Sequence, residues 1–263
     1  MKDYNEKSNV VIAFIIPVTS KTRKDENLAD TPFVKIFLRS LVRSIEGERY
    51  LFRIYLGCDK GDLLYDVDSA KETLRSLIRS ELSKVEPSRQ PKLSLEELFT
   101  FSDTTNNPCL VWNRLFRSAF DDKCDFFYQC GDDIDFIDSG WAEKFIKGLA
   151  SIDSTMIGIT GPFDVRNPRI LTQSFVSKTH MDIFGYYFPN AITNLFCDDW
   201  ITLVYSPNHI HRLGEEDGAR VCNTPAPSDC PVVRYSPALI SASQLEILVQ
   251  EGKRLLARHV AYN

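Results

Sequence analysis

Near the start of the chain, Val10-Val-Ile-Ala-Phe-Ile-Ile16 forms an unbroken apolar run that stops at Pro17. A β-branched run without polar alternation fits a strand buried on both faces, as in a parallel sheet covered by helices. It is too short to span a bilayer, and the polar MKDYNEKSN before it lacks the basic start of a signal peptide. No anchor or export signal is read, so a cytoplasmic protein without a transmembrane segment is expected. A charged loop from Ser20 to Asn27 follows the run. Asp30-Thr31-Pro32 then offers an N-cap with proline in the first turn. Phe33, Phe37, Leu41 and Ile45 recur at i+4, Gly47 stops that helix, and Leu51 to Leu56 reads as a second strand. The order β, loop, α, β favours a parallel sheet with a right-handed crossover.

The alternation continues. Asp68 to Leu82 reads as a helix, and Pro87 and Pro91 mark a polar linker. Asn107-Pro108 caps a helix carrying Val111, Trp112, Leu115, Phe116 and Ala119. Asp125 to Cys130 is a strand that runs into Gly131-Asp132-Asp133-Ile134-Asp135, and Ser139 caps a helix with Trp141, Phe145, Ile146 and Leu149 inward. From Met156 to Tyr235 the pattern is short strands and turns, with Trp200 to Tyr205 read as a strand. Ser236-Pro237 opens a terminal helix to about Arg258. No Gly/Ser-rich linker divides the chain, so one α/β domain over 1–263 is expected, with halves 1–140 and 141–263. A hydrophobic content of 43% supplies a full core and excludes disorder. With 31 basic and 36 acidic residues the net charge is −5, which lacks the basic field a nonspecific nucleic-acid binder needs. The seven cysteines never fall as CxxC and read as reduced thiols.

Asp132, Asp133 and Asp135 crowd three carboxylates into four positions directly after a buried strand. Such a cluster repels itself unless it is solvated or neutralised by a cation. In open α/β sheets ligands sit beyond the carboxyl ends of the strands. A hard divalent ion there, held by one or two carboxylates, leaves coordination positions for phosphates and can act as a Lewis acid on a leaving diphosphate. A solvated turn that helps to cap the next helix is the plainer reading of the same residues. No GxxxxGK[ST], GxGxxG, HExxH or GxSxG motif is present, which removes support for P-loop, dinucleotide, zinc-protease and serine-hydrolase readings.

Taken in order, these segments resemble the nucleotide-sugar-dependent glycosyltransferases of the GT-A fold. Cys130 to Phe136 with the helix from Gly140-Trp141 resembles their acidic DxD or xDD metal motif. Val10 to Thr19 resembles their first strand, and Leu56-Gly57-Cys58-Asp59 the second strand, whose terminal acid touches the base. Trp112-Asn113-Arg114 resembles the donor-facing helix before the metal strand, and Cys197-Asp198-Asp199-Trp200 the motif that supplies the base in inverting members. The resemblance covers about residues 10–205 and rests on order and spacing.

It implies a Rossmann-like, mostly parallel central sheet flanked by helices, with a smaller mixed β region on the acceptor side. It implies Mn²⁺ or Mg²⁺ on Asp133, paired with Asp132 under xDD or Asp135 under DxD. His209, His211 and Asn223 remain open as a third ligand. Asp59 would accept from the nucleobase, while Pro17, Thr19, Arg23, Asn113, Arg114 and Asp132 would line the nucleotide. Asp199, ahead of Asp198, would take the proton of an acceptor hydroxyl. His180 and Trp200, with Tyr186 and Tyr187, are candidates for sugar contacts. The implied reaction moves a sugar from a nucleoside-diphosphate sugar, UDP-sugars foremost, to a glycan or other hydroxyl with inversion. Two alternatives stay open: a sugar-phosphate nucleotidyltransferase, although Val18 to Arg23 has no glycine, and a non-catalytic glycan-binding protein of the same fold.

Overall fold

The computed structural model describes residues 10–21, 25–45, 49–223 and 240–262. The opening apolar run is strand β1 (Val10–Pro17), and it lies at the centre of a seven-stranded sheet. Its side chains alternate between two cores. Val10, Ile12, Phe14 and Ile16 enter one, Ala13 and Ile15 the other. That is why the run shows no polar alternation: helices cover both faces.

β2 (Tyr50–Asp59) and β3 (Lys92–Phe101) extend the sheet on one side of β1. β4 (Phe126–Gln129) pairs with β1 on the other, and the β1, β2, β3 and β4 contacts are all parallel. After the short β5 (Ile134–Phe136), β6 (Ile159–Gly161) and β7 (Phe163–Asp164) follow, then β8 (Ser174–Ser177), β9 (Ile210–Arg212) and β10 (Arg220–Asn223). The large sheet runs β3-β2-β1-β4-β8-β6-β9, and β5-β10-β7 make a small mixed sheet. β8 is antiparallel to both β4 and β6. The expected α/β architecture, mostly parallel with a smaller mixed region, is what the structure shows.

One face carries α1 (Arg39–Ser44), α2 (Ala70–Leu82) and α4 (Trp141–Ile152), with Phe14, Phe37, Tyr128, Phe136, Trp141 and Phe145 in contact around the sheet. The other face carries α3 (Pro108–Asp121), α5 (Thr179–Phe184), α6 (Cys197–Tyr205) and α7 (Ala242–Tyr262). Each large side chain buried here contributes about 1.5–3 kcal/mol through removal from water.

Four expectations change. Lys92–Phe101 is a strand, although the sequence there reads as the end of a polar linker. Trp200 to Tyr205 is helical: Trp200, Ile201, Val204 and Tyr205 fall on one buried face of α6 and override their β propensity. A side chain at Gly252 would meet Val204 at 2.7 Å, so glycine sets how closely α7 packs there. The helix after β1 begins as a π-helical stretch, Phe33–Leu38, before α1. Gly140, at φ 72°, and not Ser139, occupies the N-cap of α4. The helix stop at Gly47 and the opening at Ser236-Pro237 lie outside the described residues. Among the described residues no helix is long and apolar enough to cross a membrane.

Candidate functional site

The chain leaves β1 toward β2 and β3, then crosses back to place β4 on the opposite side of β1. Such a reversal opens a crevice outside the carboxyl ends of the two strands. One wall of it grows from the loop after β1. Asp62, buried after β2, accepts from Ser20 N (2.8 Å), Ser20 Oγ (2.6 Å), Thr19 Oγ1 (3.2 Å), Leu64 N (3.1 Å) and Tyr65 N (3.0 Å). Burial alone would raise its carboxyl, but donation from Ser20, Tyr65 and Leu64 holds it below the ordinary carboxylate range. Asp59 ends β2 and accepts from Thr104 Oγ1 at 2.6 Å and Lys21 Nζ at 3.1 Å. Pro17, Thr19 and Asp59 therefore share one edge of the sheet. Arg23 lies outside the described residues.

The acidic segment leaves β4 at Gln129. Trp112 Nε1 donates to the Cys130 carbonyl at 3.2 Å and so fixes the strand end against α3. Asp132 and Asp133 are 4% and 5% exposed. A Cβ at Gly131 would stand 2.9 Å from Asp133 Oδ1, so a side chain there would push that carboxylate aside. Asp135 takes a different direction: it lies on β5 with Arg43 of α1 at 3.9 Å. The two pairings that the sequence leaves open are thus unequal in place. Asp132 and Asp133 stay together at the strand end, whereas Asp135 runs along α1. Asn223 of β10 stands opposite Ile134, while His211 is on β9 at the far edge of the sheet and His209 just precedes it. Among the described residues no group of three or more His, Cys, Asp or Glu side chains is arranged to hold a metal ion. The donor set fits an ion held by one or two carboxylates whose shell phosphate oxygens complete.

The second acidic pair opens α6, behind Phe196 in a left-handed conformation. Burial pushes the Asp198 carboxyl up to about 7; Cys197 Sγ donates to it at 3.4 Å, and the charges of Asp199 and Asp164 raise it further. Asp199 instead meets Arg169 at 3.4 Å. Asp164, 2% exposed on β7, accepts from Arg166 N (2.9 Å) and Thr172 Oγ1 (2.6 Å). Asp62 is not among the sequence candidates; an isolated Asp carries no local signal, and it accepts from residues about 42 positions away.

Five candidates are engaged elsewhere in this structure. His180 is a core histidine, 1% exposed, with Nδ1 at 2.8 Å from Tyr205 Oη and Nε2 at 3.1 Å from the Tyr187 carbonyl. Burial pushes it down to about 4, so it is neutral and holds helices together. Trp200 is fully buried and donates to the Leu248 carbonyl of α7 at 3.2 Å, which excludes it as an open sugar platform. Tyr187 is buried likewise. Asn113 accepts from Tyr187 N (2.9 Å) and Phe188 N (2.8 Å) and donates to the Phe188 carbonyl (2.8 Å), clamping that loop. Arg114 makes a two-pronged pair with Asp103 at 2.6 Å and covers the Phe101 ring. The polar groups of the last two are thus engaged within the protein, Arg114 with Asp103 beside Thr104, which holds Asp59.

No family model matches the chain, and no curated protein matches it. Among solved structures it is similar to S. aureus TarS 1-349 in complex with UDP-GlcNAc, at 12% identity over 97% of this chain and 73% of that one, with a TM-score of 0.49. Another structure of S. aureus TarS 1-349 matches at 11% identity over 82% of this chain and a TM-score of 0.47; the match spans 60% of that chain. The glycosyltransferase GlyE of Streptococcus pneumoniae TIGR4 matches at 8% identity over 97% of this chain and 64% of that one, with a TM-score of 0.45.

Proposed function

We propose that the chain is a nucleotide-sugar-dependent glycosyltransferase, which binds a nucleoside-diphosphate sugar, UDP-linked foremost, in the crevice between β1 and β4. The observation that carries this reading is the placement of two buried aspartates, Asp132 and Asp133, at the carboxyl end of β4 at the strand-order reversal. Thr19 and Asp59 would meet the nucleoside at the ends of β1 and β2. Asp133, with Asp132 as the nearer partner, would hold Mg²⁺ or Mn²⁺, which when bound offsets the charge of a leaving diphosphate.

Asp198 would be the base that takes the proton of an acceptor hydroxyl. A carboxyl raised to about 7 is matched to proton transfer near neutral pH. Asp199, implied by sequence order, is occupied by Arg169. A single carboxylate acting as base would give a single displacement with inversion.

Calorimetric titration with UDP, with and without Mn²⁺, tests the donor site. The expected result is metal-dependent binding that Asp133→Ala reduces at least about tenfold, the scale of losing one interaction with a charged group, with its far-ultraviolet circular dichroism unchanged. UDP binding of equal strength in the variant would remove Asp133 from the site. Turnover of a nucleoside triphosphate with a sugar phosphate would favour the nucleotidyltransferase alternative.

A further inference from the structure

Gln173 stands immediately before β8, whose first residue, Ser174, pairs with Gln129, the last residue of β4. It therefore lies at the same sheet edge as the acidic segment, and it is 1% exposed. Its amide has a fixed polarity. Thr172 Oγ1 donates to Asp164 Oδ2 at 2.6 Å, and a carboxylate has no hydrogen to return, so the threonine proton is committed. Thr172 Oγ1 can then only accept, and the group 2.8 Å from it is Gln173 Nε2. Oε1 is left on the other branch, buried, without a hydrogen-bond partner among the described residues. Water does not reach it, and an unpaired buried acceptor is costly. Asp164, at the other end of this relay, is an electrostatic neighbour of Asp198. Gln173 thus stands at the strand ends from which the acidic segment leaves, tied through Thr172 to a carboxylate that acts on Asp198, and its Oε1 lacks a donor among the described residues.

We propose that Gln173 reads the transferred sugar: Oε1 accepts a hydrogen bond from a hydroxyl or amide N–H of the sugar as it opens this edge, with Thr172 and Asp164 as positioning residues. The inference rests on the nucleotide-sugar reading and adds to it the side chain that selects the sugar. A site that expects a donor rejects sugars that lack one at that position, because the acceptor stays unpaired.

The test is calorimetry on the full chain with UDP and with UDP-glucose, UDP-galactose, UDP-N-acetylglucosamine and UDP-xylose, using wild type, Gln173→Leu and Thr172→Val. Wild type is expected to prefer one sugar. Gln173→Leu should weaken that UDP-sugar about tenfold and flatten the preference, with UDP itself changed less than about twofold. Thr172→Val, which releases the amide to turn over, should act in the same direction by about threefold. It carries the test if the leucine variant fails to fold. Preserved sugar preference in a folded variant that still binds UDP overturns the role of Gln173 alone, as does a wild type that binds UDP but does not distinguish the sugars. A wild type that binds neither UDP nor any UDP-sugar overturns the reading of the crevice and this inference with it.

Discussion

Asp62 and Asp198 are both carboxylates drawn into the protein, one on each side of the crevice, and they end in opposite states. Five donors converge on Asp62 and hold its carboxyl low. Asp198 has one weak thiol donor and two like charges near it, and rises to about 7. Three of those donors, Thr19 Oγ1 with Ser20 N and Oγ, come from the loop after β1, so that carboxylate shapes the wall where a nucleoside would rest. Asp198 has been left under-satisfied, and such a group can exchange a proton. The side built on Asp62 is satisfied, while Asp198 and Gln173 retain unmet hydrogen-bonding capacity.

The sharpest way to break this contrast is Asp198→Asn. UDP release from the UDP-sugar that binds is expected to fall about 10²–10⁴-fold, the range for loss of a positioned base, with donor binding intact. Because the base must be ionised, wild-type kcat/KM should rise with pH through about 7 and then level off. Asp199→Asn should keep this limb but move it to lower pH, since one of the charges that raise Asp198 is gone. Stability runs the other way. The folded carboxyl lies above the ordinary aspartate value of 3.8, so the native state holds the extra proton between that value and about 7, and stability declines as pH rises across that window. At pH 8 the Asp198→Asn variant should therefore melt higher than wild type, while a lower Tm with full turnover would refute the assignment.

Asp62→Asn attacks the satisfied side. The amide turns two hydrogens toward groups that are themselves donors, and a loss of about 3 kcal/mol is expected for disrupting a charged, multiply bonded acceptor. Chemical denaturation at pH 7 measures it. The sign with pH is opposite to that of Asp198: a depressed carboxyl contributes stability above its unfolded value and loses it as pH falls through the folded one. The gap between wild type and variant should close in acid. A gap that is constant down to pH 3 would mean that the carboxylate charge contributes nothing.

This same division governs what can be read from the chain alone. β1, the crossover and the acidic turn are legible because each is local: Val10 to Ile16 states its burial by composition, and Asp132-Asp133 follows a strand directly. β3 escapes notice because clean alternation lasts only through Leu93 and Leu95 before Glu96-Glu97 breaks it. Trp200 to Tyr205 reads as a strand because aromatic and β-branched residues favour one; its helical state is decided by α7, about 50 residues away. Asp62 gives no signal, since Ser20, which donates to it twice, lies 42 positions away. Long-range satisfaction of a polar group leaves no periodic trace in the chain.

The smallest effect belongs to Arg114, which sequence order puts on the nucleotide wall and the structure puts on Asp103. Its guanidinium forms both bonds at 2.6 Å and lies 4.9 Å from the Phe101 ring centroid, so its donors are spent on an exposed carboxylate. Exposed pairs of this kind are screened by water and contribute little. Arg114→Ala should change Tm by less than about 2 °C and leave UDP affinity within about twofold of wild type. The salt dependence of UDP binding should also be unaltered, because a cation that never meets the diphosphate has no charge interaction to screen. A tenfold loss of UDP affinity, or a weaker salt dependence, would show that Arg114 leaves Asp103 for the diphosphate when nucleotide arrives. The nucleotide wall would then be assembled on binding, and the contrast between a satisfied side and an unsatisfied one would hold only for the empty crevice.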